Sequence, residues 1–150
     1  MAAFKEYKRE FTDEEMVLHA WDKEMIQNLV SRFTFYWGNG ETERAIRELF
    51  GAAGRNPTVL PTFCCDNGKN IRVGENFLAN YNVTILDIAP VTIGDNSWIG
   101  CNVVILRGTS IGKNCIVGAG SVLKGTYPDN SVIVQKRQTT VTVYPTGTEK

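Results

Sequence analysis

The chain has 150 residues, which is the size of one ordinary domain. With 43% hydrophobic and 21% charged residues, its composition is that of a globular protein and excludes a disordered or membrane-embedded chain. Sixteen basic residues balance sixteen acidic ones, so net charge gives no attraction to nucleic acid or to an anionic membrane. The N-terminal stretch MAAFKEYKRE lacks the apolar core of a signal peptide, so we expect a cytoplasmic protein.

Residues 1–56 carry apolar side chains at helical spacing. Thr12 can cap a helix that continues through Asp13-Glu14-Glu15, since acidic residues suit a helix N-terminus. Thr42 can cap a second helix that runs through Phe50, with glycines beyond its end. Helices this short are marginally stable alone. The pattern therefore predicts a short helical N-terminal region that packs against the rest of the chain.

Cysteine and histidine are too sparse for a metal site or a disulfide framework. The four cysteines, Cys64, Cys65, Cys101 and Cys115, form no Cys-x-x-Cys pair, and His19 is the only histidine. A zinc site needs several such ligands at close spacing, and a cytosolic chain rarely carries structural disulfides. We predict buried or interface thiols and no metal.

From Ile71 onward the helical period gives way to a period of six. The third position of each copy is a branched aliphatic residue, or alanine once: Val73, Ala79, Ile85, Ile93, Ile99, Ile105, Ile111, Val117 and Leu123. Ala89-Pro90 stands outside this count. Six residues make one strand and one turn, and three such sides close a coil of about 18 residues. The repeat predicts a mainly β protein with a parallel β-helix over residues 57–138, whose third positions point inward.

The residues after the repeat form a third region, 139–150. Thr139 to Tyr144 alternate between polar and apolar side chains, which predicts a strand within a C-terminal tail. Lys136 and Arg137 precede it, and they either bind phosphate groups or form a solvated end.

In several segments the residue types themselves are informative, in addition to the six-residue repeat. They are Pro61-Thr62-Phe63, Gly74 to Asn80, Thr84-Ile85-Leu86-Asp87, Trp98-Ile99-Gly100, Gly118 to Val122 and, before the repeat, Arg44 to Phe50. Together they resemble the maltose and galactoside O-acetyltransferases among the hexapeptide-repeat proteins. The resemblance covers residues from about 10 to 134. It implies a left-handed coil, an exception to the usual right-handed crossover, and acetyl transfer from acetyl-CoA to a sugar or similar hydroxyl by a homotrimer.

The same resemblance implies site residues in clefts between neighbouring β-helices. For the acetyl-CoA co-substrate they are Cys101, Ala119, Ser121 and Lys124, and for the hydroxyl acceptor they are Asp13 and Asn80. Structural alternatives stay open. Ala119 and Ser121 are also ordinary turn residues, Asn80 can simply bond its own turn, and Asp13 can simply start a helix.

The resemblance fails at the general base. Transfer to a hydroxyl needs a group that takes its proton, and in this family a histidine does so from a loop after an Ile-Gly-Asp-Asn copy. Here Ile93 to Asn96 is followed directly by Ser97 to Gly100, as if one coil and its loop were absent, and no histidine follows His19. His19, Asp87 or a cysteine are alternatives that the spacing does not support, so the catalytic residue is unknown.

Two functions therefore stay open. One is an acetyl-CoA-dependent O-acetyltransferase, impaired by loss of the histidine-bearing coil. The other is a non-catalytic hexapeptide-repeat trimer with a binding or structural role. A γ-class carbonic anhydrase is disfavoured, because that class requires three zinc histidines.

Overall fold

The computed structural model describes residues 41–145, which form one helix and a series of short strands. The helix is α1 (Glu41–Leu49). The strands are β1 (Ala52–Ala53), β2 (Thr58–Val59), β3 (Cys64–Cys65), β4 (Ile71–Val73), β5 (Leu78–Ala79), β6 (Thr84–Ile85), β7 (Val91–Ile93), β8 (Trp98–Ile99), β9 (Val104–Ile105), β10 (Ser110–Ile111), β11 (Ile116–Val117), β12 (Val122–Leu123), β13 (Thr126–Tyr127) and β14 (Val132–Ile133). No helix in this range is long and apolar enough to cross a membrane.

The strands stack into three parallel sheets, because each coil contributes one strand to each side of a triangle. The first sheet has the order β1-β4-β7-β10-β13, the second β2-β5-β8-β11-β14, and the third β3-β6-β9-β12. Ile99 of β8 pairs with Ala79 of β5 on one side and with Val117 of β11 on the other. This register, with about four coils, confirms the predicted parallel β-helix.

The interior is the column of aliphatic residues that the repeat predicted. All nine third positions are buried, and none is more than 5% exposed. Full burial of one such side chain contributes roughly 1.5–3 kcal/mol. The column is therefore the main source of cohesion along a solenoid whose strands are only two or three residues long.

Helix α1 closes the first coil, as the sequence predicted, but Thr42 lies inside the helix rather than at its cap. Its buried face packs on β1 and β2. The guanidinium of Arg47 donates hydrogen bonds to the carbonyls of Ala53 (2.9 Å) and Gly54 (3.0 Å) and so ties the helix to β1. The other predicted helix, which follows Thr12 in the sequence, lies outside the described residues.

An unbroken asparagine ladder runs along the corner between the first and second sheets. Its members all have positive φ, between 53° and 61°: Asn56, Asn76, Asn96, Asn114 and Asn130. Each side-chain amide donates to the next carbonyl oxygen, at 2.8 to 3.3 Å. Asn96 is an ordinary member of this ladder. The Asn96–Ser97 junction is therefore a regular corner of the coil.

The corner between the third and first sheets becomes shorter along the solenoid. Paired residues are 20 positions apart between the first and second coils, 18 between the third and fourth, and 16 beyond. The pair Ala89-Pro90, which stood outside the count of six, lies in this corner between β6 and β7. Buried Asp87 holds the copy of the corner between β3 and β4, since its carboxylate accepts backbone N–H bonds from Asp66, Asn67 and Asn70.

The predicted strand over Thr139 to Tyr144 is wrong. Residues 134–145 have no regular secondary structure, and Val141, Val143 and Tyr144 are about 80% exposed. Alternation favours a strand only where one face is buried against a neighbour, and no described strand pairs with this segment.

Candidate functional site

Three of the predicted site residues lie on one edge of the solenoid, the corner between the second and third sheets. Asn80, Cys101 and Ala119 each follow a strand of the second sheet. The register continues through the turns, since Asn80 N–H donates to Ile99 and Gly120 N–H donates to Cys101. Successive coils therefore place Asn80, Cys101 and Ala119 along one corner, which we call the second corner.

The second corner presents backbone and small side chains. A Cβ at Gly100 would lie 2.7 Å from the amide nitrogen of Ala119 and from the carbonyl oxygen of Val117, so glycine is required for the coils to stack. Ala119 is exposed and the Cys101 thiol is partly exposed. An extended ligand can approach the main chain along such a surface, as the resemblance implied for the pantetheine arm of acetyl-CoA.

Asn80 satisfies its own turn, as the structural alternative proposed. Its side-chain oxygen accepts a hydrogen bond from the N–H of Tyr81 at 2.7 Å. Its amide nitrogen donates to no described residue. Asn80 is only partly buried, so this nitrogen is available to an acceptor molecule.

The other two predicted cofactor residues do not share this surface. Ser121 is 2% exposed, and its hydroxyl donates to the carbonyl of Gly118 at 2.7 Å, so its side chain serves the turn. Lys124 lies beyond β12, on the corner between the third and first sheets. The sequence placed these residues close together along the chain, but a two-residue strand separates Lys124 from the second corner.

The segment after β14 completes the second corner. The side-chain amide of Gln135 pairs with both backbone groups of Val122, at 2.8 and 2.6 Å, and so replaces a fifth strand on the third sheet. Arg137 reaches back to the carbonyl of Ala119 at 3.4 Å and lies over Gly120. The sequence left Arg137 as either a phosphate ligand or a solvated end, and the structure brings its charge to Ala119.

The described turns of this corner carry no histidine, aspartate or glutamate. Histidine is absent from residues 41–145, and both His19 and Asp13 lie outside the described range. Asp87 is buried on another corner, where its carboxylate is occupied by backbone N–H groups. Burial, reinforced by Asp87, raises the pKa of Cys65 far above its usual value, so that thiol stays protonated. Asp87 and Cys65 are therefore structural groups rather than catalytic ones.

The described residues give no evidence of a metal-binding site. No group of three or more His, Cys, Asp or Glu side chains within 41–145 is arranged to hold an ion. The four cysteines are free thiols, and Cys115 is buried.

Comparison with known proteins identifies the class of protein and then the family to which this chain belongs. Residues 90–125 match the family described as "Bacterial transferase hexapeptide (six repeats)". A solved maltose O-acetyltransferase from Clostridium difficile 630 is 33% identical, with a TM-score of 0.61 over 78% of this chain and 83% of that one. A galactoside acetyltransferase solved in complex with coenzyme A is 30% identical, with a TM-score of 0.62 over 80% of this chain and 78% of that one.

The chain is thus a hexapeptide-repeat protein with the left-handed β-helix of these acetyltransferases. It belongs to the maltose/galactoside O-acetyltransferase family. The galactoside O-acetyltransferase of Escherichia coli (strain K12) is 35% identical over 126 residues, which cover 60% of this chain and 62% of the relative. The chain spans less than two thirds of the length of the first curated relatives that it matches.

Proposed function

We propose that this protein is an acetyl-CoA-dependent O-acetyltransferase that acts slowly on a sugar or similar hydroxyl, because the family's histidine-bearing coil is missing. The observation that carries the proposal is the second corner. Gly100, Cys101 and Ala119 expose main chain along one edge, in a chain related to an acetyltransferase that was solved with coenzyme A.

The donor site fits the shape and charge of coenzyme A. The pantetheine arm is a narrow chain with amide groups, and it suits the exposed backbone between Cys101 and Ala119. Coenzyme A also carries phosphates, for which a guanidinium provides paired donors. Arg137 at the end of the same corner supplies one. Asn80, one coil earlier, has an amide N–H for the acceptor hydroxyl.

The missing base sets the expected rate. When the acceptor oxygen attacks the thioester carbonyl, a C–O bond forms, the C–S bond breaks, and the hydroxyl proton must leave. A positioned base typically contributes 10²- to 10⁴-fold to such a step. No histidine or carboxylate of the described turns at this corner replaces it, and under this proposal water takes the proton. We therefore expect transfer roughly 10²- to 10⁴-fold slower than in a histidine-bearing relative.

The length of the alignment supports an internal shortening. The match to the Escherichia coli enzyme extends over 126 residues, yet 60% of this chain is only about 90 residues. The alignment therefore spans more positions than this chain fills, and the excess is about one 18-residue coil plus a loop of similar length. Removal of a whole coil at Asn96–Ser97 leaves the asparagine ladder in register, which agrees with its unbroken course.

The proposal includes a cytoplasmic homotrimer. The outward residues of the second sheet form an apolar ladder, Leu78, Trp98, Ile116 and Val132, paired in register. Trp98 is 51% exposed and Val132 is 71% exposed. A continuous apolar stripe on a protein surface is typical of an interface. The free thiols of the described residues agree with a reducing compartment.

The second candidate function is a non-catalytic trimer. The absence of a general base from the described second corner favours it. The two candidates differ in coenzyme A binding and turnover, which one set of measurements on the full chain can separate.

The experiment combines calorimetric titration with coenzyme A and a thiol-release assay with acetyl-CoA and maltose or a galactoside. We expect saturable binding that Ala119→Glu abolishes, because a carboxylate at that position blocks the backbone and repels phosphate. Ala52→Glu is the matched control, since Ala52 is exposed on the first sheet. If wild type binds no coenzyme A, the enzyme proposal fails and the non-catalytic candidate stands. Turnover equal to that of a histidine-bearing relative would refute the impairment.

A further inference from the structure

Tyr81 is an exposed aromatic residue on the second corner. It follows β5 by two positions, as Cys101 follows β8, and the N–H of Asn102 donates to the carbonyl of Tyr81 at 2.9 Å. Tyr81 therefore borders Cys101 from the adjacent coil, about 4.8 Å away. Its side chain is 48% exposed, and its hydroxyl has no hydrogen-bond partner among the described residues. Neither the comparisons nor the proposed acetyl transfer assigns a role to Tyr81.

Two asparagines beside Tyr81 leave their amide donors unpaired. Asn82 has φ 59° and Asn102 has φ 57°, the same left-handed conformation as the members of the asparagine ladder. In the ladder each amide donates to the next asparagine, whereas no such bond joins Asn82 to Asn102. The side-chain oxygen of Asn82 accepts from the hydroxyl of Thr62 at 2.7 Å, and the amide nitrogens of both asparagines donate to no described residue. Both side chains are exposed, so these donors are available to a ligand.

The proposed shortening of the chain explains why Tyr81 borders Cys101. Removal of one coil at Asn96–Ser97 removes the coil between the one that carries Tyr81 and the one that carries Cys101. In a relative that keeps this coil, the two positions are two coils apart, or about 10 Å. The contact between an aromatic ring and the donor path is therefore a property of the shortened solenoid.

The combination of one aromatic ring and several free amides indicates the chemical class of the acceptor. A pyranose ring has one face of C–H groups and a rim of hydroxyls. The C–H face packs on the electron-rich face of an aromatic ring, and amide groups both donate to hydroxyls and accept from them. An open-chain polyol has the hydroxyls but no fixed apolar face. The arrangement therefore favours a cyclic sugar over an open-chain acceptor.

We propose that Tyr81 determines acceptor specificity by stacking on the pyranose ring of a cyclic sugar, whose other hydroxyls bind the amides of Asn82 and Asn102. The stacked ring holds the reacting hydroxyl beside a thioester bound at Cys101. This inference rests on the proposed acetyl transfer and narrows its acceptor to a cyclic sugar.

The test is a saturation-transfer NMR titration of the full chain with methyl β-galactopyranoside, and with galactitol as the open-chain probe. We expect saturable binding of the galactoside and at least threefold weaker binding of galactitol. Tyr81→Ser should weaken galactoside binding about three- to tenfold, because the aromatic contact is lost. Tyr81→Phe keeps the ring and should bind within about twofold of wild type.

Two controls separate this role from a structural one. Tyr144→Ser removes another exposed tyrosine, in the C-terminal tail, and should leave galactoside affinity unchanged. Calorimetric titration with coenzyme A should give the same affinity for Tyr81→Ser as for wild type, since a ring that only supported the corner would affect both ligands.

Four results overturn the proposal. They are no saturable galactoside binding, equal affinity for galactitol, equal effects of Tyr81→Ser and Tyr144→Ser, and a parallel loss of coenzyme A affinity in Tyr81→Ser. The sugar titration contains no acetyl-CoA. If sugar binding fails while coenzyme A still binds, the role of Tyr81 is refuted and transfer to another hydroxyl stands. If wild type binds no coenzyme A, the acetyl transfer itself fails.

Discussion

Substitution of Asn96 tests whether the Asn96–Ser97 junction is a regular corner held by the asparagine ladder. Asn96 has φ 56°, a left-handed conformation that costs an ordinary residue about 1–2 kcal/mol. Its side chain accepts a hydrogen bond from Asn76 at 2.8 Å and donates one to Asn114 at 3.3 Å. These exposed bonds contribute at the low end of about 0.5–1.5 kcal/mol each. Asn96→Ala should therefore lower the free energy of unfolding by about 2–4 kcal/mol.

Asn96→Gly separates the two contributions, because glycine tolerates positive φ but makes no ladder bonds. We expect it to be destabilised by only about 1–2 kcal/mol. The measurement is urea denaturation of wild type and both variants at one protein concentration, since association shifts apparent stability. Equal losses of stability in Asn96→Ala and Asn96→Gly would show that the left-handed backbone conformation does not cause the destabilisation. Losses below about 0.5 kcal/mol in both would refute the ladder as a stabilising element.

Three further predictions concern the stacking, the pH response and the assembly. Gly100→Ala should destabilise by about 1–3 kcal/mol, because its Cβ would collide with the backbone of the next coil. Gly118→Ala should have almost no effect on stability, because the atoms nearest to its Cβ would be 3.4 Å away. Thermal unfolding of both variants is the measurement. The pKa of Asp95 is lowered, first by the backbone N–H of Glu75 and then by Lys113. A depressed folded pKa gives stability that is present above the unfolded value, about 4, and is lost as pH falls below it. Wild type should thus lose stability below about pH 4, and Asp95→Asn should flatten that loss; identical pH profiles would contradict this assignment. Trp98→Lys should dissociate the proposed trimer in sedimentation, and an unchanged sedimentation coefficient would exclude the apolar ladder as its interface.

The interior of the solenoid was predictable from sequence because inward-facing residues recur at a fixed spacing along the chain. A two-residue strand of the coil has one inward position and a three-residue strand has two, and the third position of each repeat must be apolar in every coil. The period of six therefore located Ile99 and its counterparts without knowledge of contacts. Asparagine tolerates positive φ, so its recurrence in the turns favours left-handed corners. Their ladder of side-chain bonds follows from the stacking of coils, which the sequence shows only through its spacing.

The site was predictable only in part, because neighbours along the chain need not share a surface. Ala119 and Ser121 are two residues apart, yet one is exposed on the second corner and the other points into the turn. Lys124 follows closely but lies beyond the next strand. The pairing of Gln135 with Val122 has no local signal, since it joins residues brought together by the last coil.

The C-terminal prediction failed for a related reason. The alternation from Thr139 to Tyr144 expresses a preference for strand, but a strand also needs a partner with free backbone groups. Arg137 and Gln135 fold back onto the last coil before this run begins. No described strand pairs with the run itself.

The central claim is that a transfer site persists on the second corner while its general base is missing. Acceptor-dependent release of coenzyme A thiol, measured at saturating acetyl-CoA with increasing imidazole as an external base, tests it most directly. The account predicts a slow basal rate that rises with imidazole in wild type but not in Ala119→Glu, which reports the uncatalysed background. A rate already equal to that of a histidine-bearing relative without imidazole, or no rise above the Ala119→Glu background, would contradict it.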